Sequence, residues 1–291
     1  NMDWAYYLHV QLEPQGAVNL NDAYITWKKH PYAQHQIGRA KIPYGVESWH
    51  SDTQINGIEK TIFSGETDVD GKLVTETRKW PGGNANFPVS DEDTITKYPI
   101  GGLNLSRSQG FQLQGDIKGG QFQYWAGVFN GRNTRGGVNI DAEPLLAARL
   151  SMNPFGKCNL SQQGDIEGSQ SPKLCILASG MQYTDRLKTI YNATGKSVAV
   201  DAYNIGVTGY NVAETFRYKG FSLDAEYGTE GFEQDRTGGY TWDRLGYRAS
   251  AGYFIFPKKL ELVARYAYVE RLKDNTKEDS LASGLGLVSV E

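Results

Sequence analysis

Apolar and polar side chains alternate with a period of two along most of the chain. The segment FSLDAEY at 221–227, for example, sets Phe, Leu, Ala and Tyr against Ser, Asp and Glu. This period is that of a β-strand, whose side chains point to opposite faces in turn. We therefore predict an all-β, antiparallel fold of about twelve strands. The predicted strands span 4–11, 22–28, 36–45, 110–118, 122–129, 146–152, 176–184, 202–218, 221–227, 244–256, 260–270 and 284–290.

The connections between these strands alternate between short and long. Short turns lie near residues 30, 119, 219 and 258, each beside Pro or Gly. The long connections span 13–20, 46–108, 131–144, 185–200, 230–243 and 272–282. Short turns at one end and long loops at the other are typical of transmembrane β-barrels. We predict one barrel domain over residues 1–291, with 46–108 folded into the lumen as a constriction loop.

The two faces of the strands fit a membrane barrel, although alternation alone fits a soluble barrel too. In a bilayer the apolar face meets lipid, the polar face meets a water-filled lumen, and every backbone group must be paired. No window has the roughly 18 apolar residues of a spanning helix, and mean hydropathy is −0.51. The chain has 18 Tyr and 34 Gly, and aromatic residues at strand ends favour interface girdles. A net charge of −3 argues against nucleic-acid binding.

Two cysteines, Cys158 and Cys175, lie in the segment 157–175, where the alternation of connections calls for a short periplasmic turn. Their spacing matches no zinc or haem motif. In an exported chain an even pair indicates a disulfide, with two free thiols as the alternative. No signal peptide is visible, so an exported chain is expected here in its mature form.

Several short motifs resemble the phosphate-selective porin O and P family of outer-membrane porins. They are LNDAYITW at 20–27, QIGRAKIPYG at 36–45, YWAGVFNG at 124–131, AARLSMNPFG at 147–156, GFSLDAEY at 220–227 and GYFIFPKKLELVARYAY at 252–268. The resemblance implies a sixteen-stranded, usually trimeric barrel whose third extracellular loop folds into the lumen. By that pattern 36–45 is the fifth strand, 46–108 is the third loop, and two strands are missing at each end. A twelve-stranded barrel is the alternative.

The alternation assigns thirteen charged residues to the lumen. They are Asp22, Lys28, Arg39, Lys41, Asp116, Lys118, Arg149, Arg217, Asp224, Glu226, Arg248, Glu261 and Arg265. Eight are basic and five acidic, which predicts a mildly cationic wall. Any one of them can equally be a solvated polar residue without a role in selectivity. Arg39 and Lys41 stand out because they come directly before the predicted constriction loop.

The predicted constriction loop carries the opposite charge. Between residues 46 and 106 there are ten acidic and five basic residues. The acidic ones are Glu47, Asp52, Glu59, Glu66, Asp68, Asp70, Glu76, Asp91, Glu92 and Asp93. The resemblance implies a basic ladder for phosphate, and this loop departs from it. We therefore expect a general or weakly cation-tolerant pore, with Arg39 and Lys41 pairing across the lumen with loop acids.

No other chemistry is indicated. The chain has no GxSxG, HExxH or P-loop motif, its four histidines lack metal spacing, and no cofactor is expected. The run 91–93 could hold Ca²⁺, but it fits a solvated acidic cluster as well. Three hypotheses follow: a diffusion porin for small hydrophilic solutes or ions, a porin-like sheath around a partner such as a cytochrome, and a soluble β-rich binding protein. The expected partners of the porin are outer-membrane lipid and two further copies in a homotrimer.

Overall fold

The fold is known from a computed structural model. It describes residues 3–12, 18–51, 53–56, 60, 61, 63, 75–79, 94–99, 103, 105, 107–131, 143–192, 197–234, 241–272 and 289–290. The strands are β1 Trp4–Leu12, β2 Val18–His30, β3 Ala33–Lys41, β4 Thr75–Lys79, β5 Thr94–Pro99, β6 Arg107–Ile117, β7 Phe122–Phe129, β8 Leu145–Met152, β9 Lys173–Asn192, β10 Ser197–Tyr218, β11 Phe221–Gln234, β12 Thr241–Phe256, β13 Leu260–Leu272 and β14 Ser289–Val290. Two short 3-10 helices span Glu47–Trp49 and Lys118–Gly120.

All the strands belong to one antiparallel sheet, which confirms the predicted all-β class. Its order is β1-β2-β3-β6-β7-β8-β9-β10-β11-β12-β13-β14, so strands along this path pair in chain order. β4 and β5 form a hairpin off the path, and β5 also pairs with the tip of β9. Within the described ranges no pairing joins β1 to β13 or β14. Closure of the sheet and a count of sixteen strands therefore stay predictions.

Among the predicted connections, 185–200 and 46–108 differ most from the structure. The long connection expected at 185–200 is wrong, because β9 and β10 continue through it and pair from Arg217↔Lys173 up to Ser197↔Tyr191. Only residues 193–196 separate the two strands. The segment 46–108 also contains strand structure, since the β4–β5 hairpin lies within it. In both places the backbone pairing extends beyond the part of the sequence where the alternation is regular.

The two faces of the sheet have opposite character, and the apolar one is exposed. On β8 the side chains of Leu146, Leu150 and Met152 are 46%, 64% and 42% exposed, whereas Arg149 and Ser151 between them are 1% and 3% exposed. The same alternation places Tyr, Leu, Ile and Phe on the outside of the other long strands. A soluble barrel buries its apolar face, so this arrangement is that of a sheet whose outer surface meets an apolar medium.

The inner face of the sheet is covered by two segments of the same chain. The first, which we call the inner loop, is the described part of the chain between β3 and β6 apart from the β4–β5 hairpin, namely residues 42–51, 53–56, 60, 61, 63, 103 and 105. Its side chains Tyr44, Phe63 and Leu103 are fully buried. The second, the cysteine segment, is residues 153–172 between β8 and β9. Both segments pack inside the curve of β8 to β13.

Glycines make room for the inner loop. Gly228 on β11 and Gly246 on β12 lie opposite each other in register. A Cβ added to Gly246 would come 2.3 Å from Leu103 Cδ1 and 3.1 Å from Phe63, and one added to Gly228 would come 3.2 Å from Phe63. Only the missing side chains let Phe63 and Leu103 approach the wall this closely, where they form a small buried cluster with Ala267.

Candidate functional site

The candidate site is the inner face of the sheet together with the inner loop. Its central junction is the carboxylate of Glu226, which β11 holds on the inner face. Glu226 Oε1 accepts a hydrogen bond from the backbone N–H of Val46 at 2.7 Å and one from Asn211 Nδ2 at 2.9 Å, and Oε2 accepts one from Glu47 N at 3.2 Å. Arg248 Nε on β12 donates to Glu226 Oε2 at 2.8 Å. Charge-assisted bonds of this kind are about twice as strong as neutral ones.

Glu47 extends this junction into the inner loop. Its carboxylate lies 3.6 Å from Arg248 Nε and also accepts hydrogen bonds from Thr61 N at 3.0 Å and Thr61 Oγ1 at 2.7 Å. Glu47 and Arg248 are both buried. The Glu47 carboxylate therefore bonds to Thr61 within the inner loop and also faces Arg248 on the sheet. The conformation of the loop and its docking on the sheet thus depend on the same charge cluster.

Arg149 holds a second point of contact. Its guanidinium carbon lies 3.6 Å from the ring centroid of Trp49 on the inner loop and 4.3 Å from that of Trp125 on β7. Its Nη1 donates to the carbonyl of Gly45 at 3.1 Å. A guanidinium between two aromatic faces is favourable in a site without water. Arg149 therefore binds the loop to the wall by stacking and by a hydrogen bond, with no carboxylate among the described residues in contact with it.

Most other cations of the inner face are paired with carboxylates. Arg217 Nη2 lies 2.8 Å from Asp224 Oδ1, and Arg244 pairs with Glu230. Near the other side of the sheet, Arg107 Nε lies 2.9 Å from Asp22 Oδ1, and Lys157 Nζ lies 2.9 Å from Asp116 Oδ2. Lys41 Nζ donates to the carbonyls of Trp49 and His50 at 3.0 and 3.1 Å. Within the described residues, Arg107, Arg217, Arg244 and Arg248 are thus each paired with a carboxylate, whereas Arg149 and Lys41 bond to backbone carbonyls.

The residues predicted to line the pore lie in different surroundings. Nine lie at positions of their strands whose side chains are directed to the inner face; they are Asp22, Asp116, Arg149, Arg217, Asp224, Glu226, Arg248, Glu261 and Arg265. Lys28 is exposed, and Lys118 lies in a turn, 5.8 Å from the Phe122 ring centroid. Arg39 donates through Nε to the carbonyls of Leu20 and Asn21 on β2. Glu47 pairs with a wall arginine. The pairing of Arg39 and Lys41 with loop acids stays a prediction, since most of those acids lie outside the described residues.

Eight of the ten acidic residues predicted for the constriction loop lie outside the described residues. They are Asp52, Glu59, Glu66, Asp68, Asp70, Asp91, Glu92 and Asp93. Sequence reasoning also missed Trp49 and Trp125, because aromatic residues in a porin-like sequence are read first as girdle residues. The signal that could have found them is Arg149, a charged residue predicted on the inner face without an acidic neighbour in its own strand.

The cysteine segment meets the inner loop at the end of the sheet that carries the short turns. The structure joins Cys158 and Cys175 in a disulfide. Gln163 Oε1 accepts a hydrogen bond from Asn56 N at 2.8 Å, and Gln163 N donates to the Gln54 carbonyl at 3.0 Å. Asp165 accepts a hydrogen bond from Gly220 N in the β10–β11 turn at 2.7 Å. The cysteine segment therefore links Gln54 and Asn56 of the inner loop to the β10–β11 turn.

His50 is the buried titratable group of the inner loop. Its ring is fully buried, and neither nitrogen has a hydrogen-bond partner among the described residues. Burial lowers the pKa of His50 well below its usual range, and the cations Arg248, Arg217, Lys60 and Lys41 lower it further. The ring is therefore neutral in the docked loop.

An open cavity of about 360 Å³ lies on the other side of the inner loop, against β1, β2, β3, β6 and β7. Four aromatic side chains line it: Tyr7, Tyr24, Trp49 and Trp125. Three glutamines, Asp22, Ala40 and Lys41 complete the lining. The Glu226–Arg248 junction thus lies on the β11–β12 side of the inner loop, and this cavity lies on the side of β1, β2, β3, β6 and β7.

Other kinds of site find little support. No helix within the described ranges is long and apolar enough to cross a membrane. The same ranges contain no group of three or more His, Cys, Asp or Glu side chains suited to a metal ion. His9, for instance, lies 3.3 Å from Asp22, without a further ligand of this kind.

Comparison with known proteins gives one extensive match. The family model described as phosphate-selective porin O and P matches residues 1–285. No curated protein sequence matches the chain. Among solved structures, one similar chain is OmpTdeltaL8, a loop L8 deletion mutant of OmpT, an outer membrane protein of Vibrio cholerae. It is 13% identical, the match covers 94% of this chain and 82% of that one, and the TM-score is 0.37, too low to bear on fold or function.

Proposed function

The chain belongs to the phosphate-selective porin O and P family, and from this premise we propose that it is an outer-membrane diffusion porin without strict phosphate selectivity. In this proposal the sheet closes into a barrel in the lipid, and small hydrophilic solutes and ions pass through the lumen. Passage requires no catalytic step, since pore radius and the lining charges set what crosses. Outer-membrane lipid surrounds the barrel, and three copies form the working assembly.

The observation that carries the porin function is the pair of faces on each strand. The outward side chains of β8 are apolar and exposed, whereas the inward face buries the polar Arg149 and Ser151 beside Leu145 and Ala147. Lipid on one side and water or a polar loop on the other would satisfy both sets. The same contrast argues against the soluble binding protein, in which the apolar face would be turned inward.

The paired charges of the wall support the weak selectivity. A pore that selects phosphate needs cations that are free to replace the anion's hydration. Here Arg217, Arg244 and Arg248 each contact a carboxylate of the inner face. The excess of acidic over basic residues between 46 and 106 points the same way. The inner loop and the cysteine segment also occupy space that a partner protein would need, which disfavours the sheath.

Planar-bilayer recording tests the proposal. In a tenfold KCl gradient we expect a reversal potential close to zero or on the cation side, and no block by millimolar phosphate. A strong anion preference, or block by phosphate, would show that the family's selectivity holds here as well. Absence of channels from folded, heat-modifiable protein would contradict the porin function itself.

A charge variant sharpens the selectivity test. Glu230→Gln removes the carboxylate that pairs with Arg244, and it should move the reversal potential toward anions. Glu233→Gln on the same strand is the matched control, because Glu233 is exposed on the outward-facing set of positions. Equal shifts in the two variants would mean that the pairing of inner arginines does not set the selectivity.

A further inference from the structure

The open cavity has the chemistry of a sugar site. Its aromatic side chains come in two contacting pairs. Tyr7 stacks on Tyr24 with centroids 5.3 Å apart, and Trp49 meets Trp125 edge-on at 5.7 Å, with the Arg149 guanidinium against one face of each indole. Aromatic faces bind the apolar C–H face of a pyranose ring, and amide groups bind its hydroxyls. The cavity joins both kinds of group in one space, which a site for a simple inorganic ion does not require.

The charged residues of the cavity are already engaged. Asp22 receives hydrogen bonds from Arg107 Nε at 2.9 Å, and its other oxygen lies 3.3 Å from His9 Nδ1. Lys41 donates to the carbonyls of the inner loop. An anion or a cation that entered would have to displace these bonds. The lining therefore favours an uncharged solute.

The glutamines supply a hydrogen-bonding surface with one unfilled position. Gln36 and Gln112 lie opposite each other on β3 and β6, and Gln112 Nε2 donates to Gln114 Oε1 at 3.0 Å. Gln112 is 3% exposed, yet its Oε1 has no hydrogen-bond partner among the described residues. An unfilled buried acceptor is destabilising, and a hydroxyl donor of a bound solute would satisfy it.

From these observations we infer that the cavity beside the inner loop binds an uncharged sugar of one or two rings. The volume of about 360 Å³ lies at the lower end of the range for small-molecule sites. The inference rests on the proposed porin function in one respect: the sugar is a solute in passage. The contact of Trp49 with the cavity then makes the inner loop part of the binding site as well as an obstacle to flow.

Binding is measured without reference to conductance. The protein is held in an amine-oxide detergent, which contains no sugar, and titrated with glucose and with maltose while tryptophan emission is followed. We expect saturable changes in emission with millimolar dissociation constants. Inorganic phosphate, titrated in the same way, should give none. No saturable response to either sugar up to about 100 mM, or a response to phosphate alone, would overturn the inference.

Variants locate the site. Gln112→Leu should weaken sugar binding about tenfold, the effect of losing one or two hydrogen bonds. Gln109→Leu is the control, because Gln109 lies on the same strand but is exposed on the other face, and it should bind as the wild type does. Tyr7→Ala on β1 is a second test, with an expected loss of about three- to tenfold. Equal affinity in all four proteins would place the sugar elsewhere.

Bilayer recording separates this inference from the porin function. Channels that conduct KCl but show no sugar-dependent block, together with no response in the titration, would support the porin function and contradict the sugar site. Saturable sugar binding by a protein that forms no channels would support the sugar site and contradict the porin function.

Discussion

The carboxylate of Glu226 accepts a hydrogen bond from the backbone N–H of Val46 at 2.7 Å, and through this contact a wall strand holds the beginning of the inner loop. The same carboxylate contacts Arg248, so it neutralises a buried cation and anchors the loop at once. A residue with both tasks affects conduction through the position of the loop more than through its own charge.

The first prediction concerns this anchor. Glu226→Gln keeps the shape of the side chain but removes its charge, leaving Arg248 with Glu47 alone. Breaking a buried ion pair costs about 3–5 kcal/mol, so the docked loop should open more often. We expect larger current fluctuations and faster proteolysis within residues 46–63. Glu233→Gln should leave both unchanged, and a Glu226→Gln protein with quiet channels would show that the junction does not hold the loop.

The second prediction concerns the glycine at the wall. Gly246→Val adds atoms where a Cβ alone already comes 2.3 Å from Leu103 Cδ1 and 3.0 Å from the Tyr268 carbonyl. Overpacking of this kind costs about 1–3 kcal/mol, and it should push the loop away from β12. Single-channel conductance is expected to rise.

Gly206→Val provides the matched control for this variant. A Cβ at Gly206 meets only the Glu233 carbonyl at 3.8 Å, an ordinary contact. Its conductance should equal that of the wild type. If Gly246→Val conducted like Gly206→Val, the contact between Leu103 and the wall would have no effect on the pore.

The third prediction is a dependence on pH. The pKa of His50 is lowered in the docked loop by burial and by neighbouring cations, whereas in an undocked loop it should be near 6.5. Above that pH the ring is neutral in both states and pH has no effect. Below it only the undocked ring takes up a proton, so acidification favours undocking. Current fluctuations should therefore increase as the pH falls from 7 to 5.

His50→Gln isolates this titration from that of the carboxylates. The variant should lose the part of the response that is centred below the ordinary histidine pKa, and keep any change that begins at lower pH. Identical pH profiles for the wild type and His50→Gln would assign the response to other groups.

The fourth prediction concerns the disulfide. Replacing both Cys158 and Cys175 by Ser opens a covalent loop with a sequence separation of 17. The chain-entropy estimate for a loop of this size is about 3 kcal/mol. We expect faster proteolysis of residues 157–172 and weaker holding of the loop at Gln54 and Asn56, with the β-sheet circular dichroism unchanged. Reduction of the wild-type protein should reproduce the effect, and resistance to protease in both cases would contradict it.

The strands were predictable because their signal is local. The predicted strand at 122–129 coincides with β7, and the turns beside Pro31 and Gly220 follow from the turn chemistry of two or three adjacent residues. Alternation also separates the two faces. Alternation does not tell which face is the outer one. The structure distinguishes the two faces, because Leu150 is exposed and Arg149 is buried.

The contacts of the site could not be predicted from the sequence, for a different reason. The inner loop has no periodicity, so nothing in its own sequence says that Trp49 stacks on Arg149 or that Val46 meets Glu226. A count of charged residues could not predict which of them pair. The predicted surplus of basic residues on the wall does not amount to free positive charge where Arg217 and Arg248 are paired with carboxylates. Pairing is a property of the assembled sheet.

The distance along the chain between the inner loop and its partners sets an order of events. Val46 precedes Glu226 by 180 residues, and Asn56 precedes Glu261 by 205. Contacts between residues this far apart in the chain carry a large entropy of loop closure and tend to form late in folding. We therefore expect the loop to dock after β11 to β13 have joined the sheet.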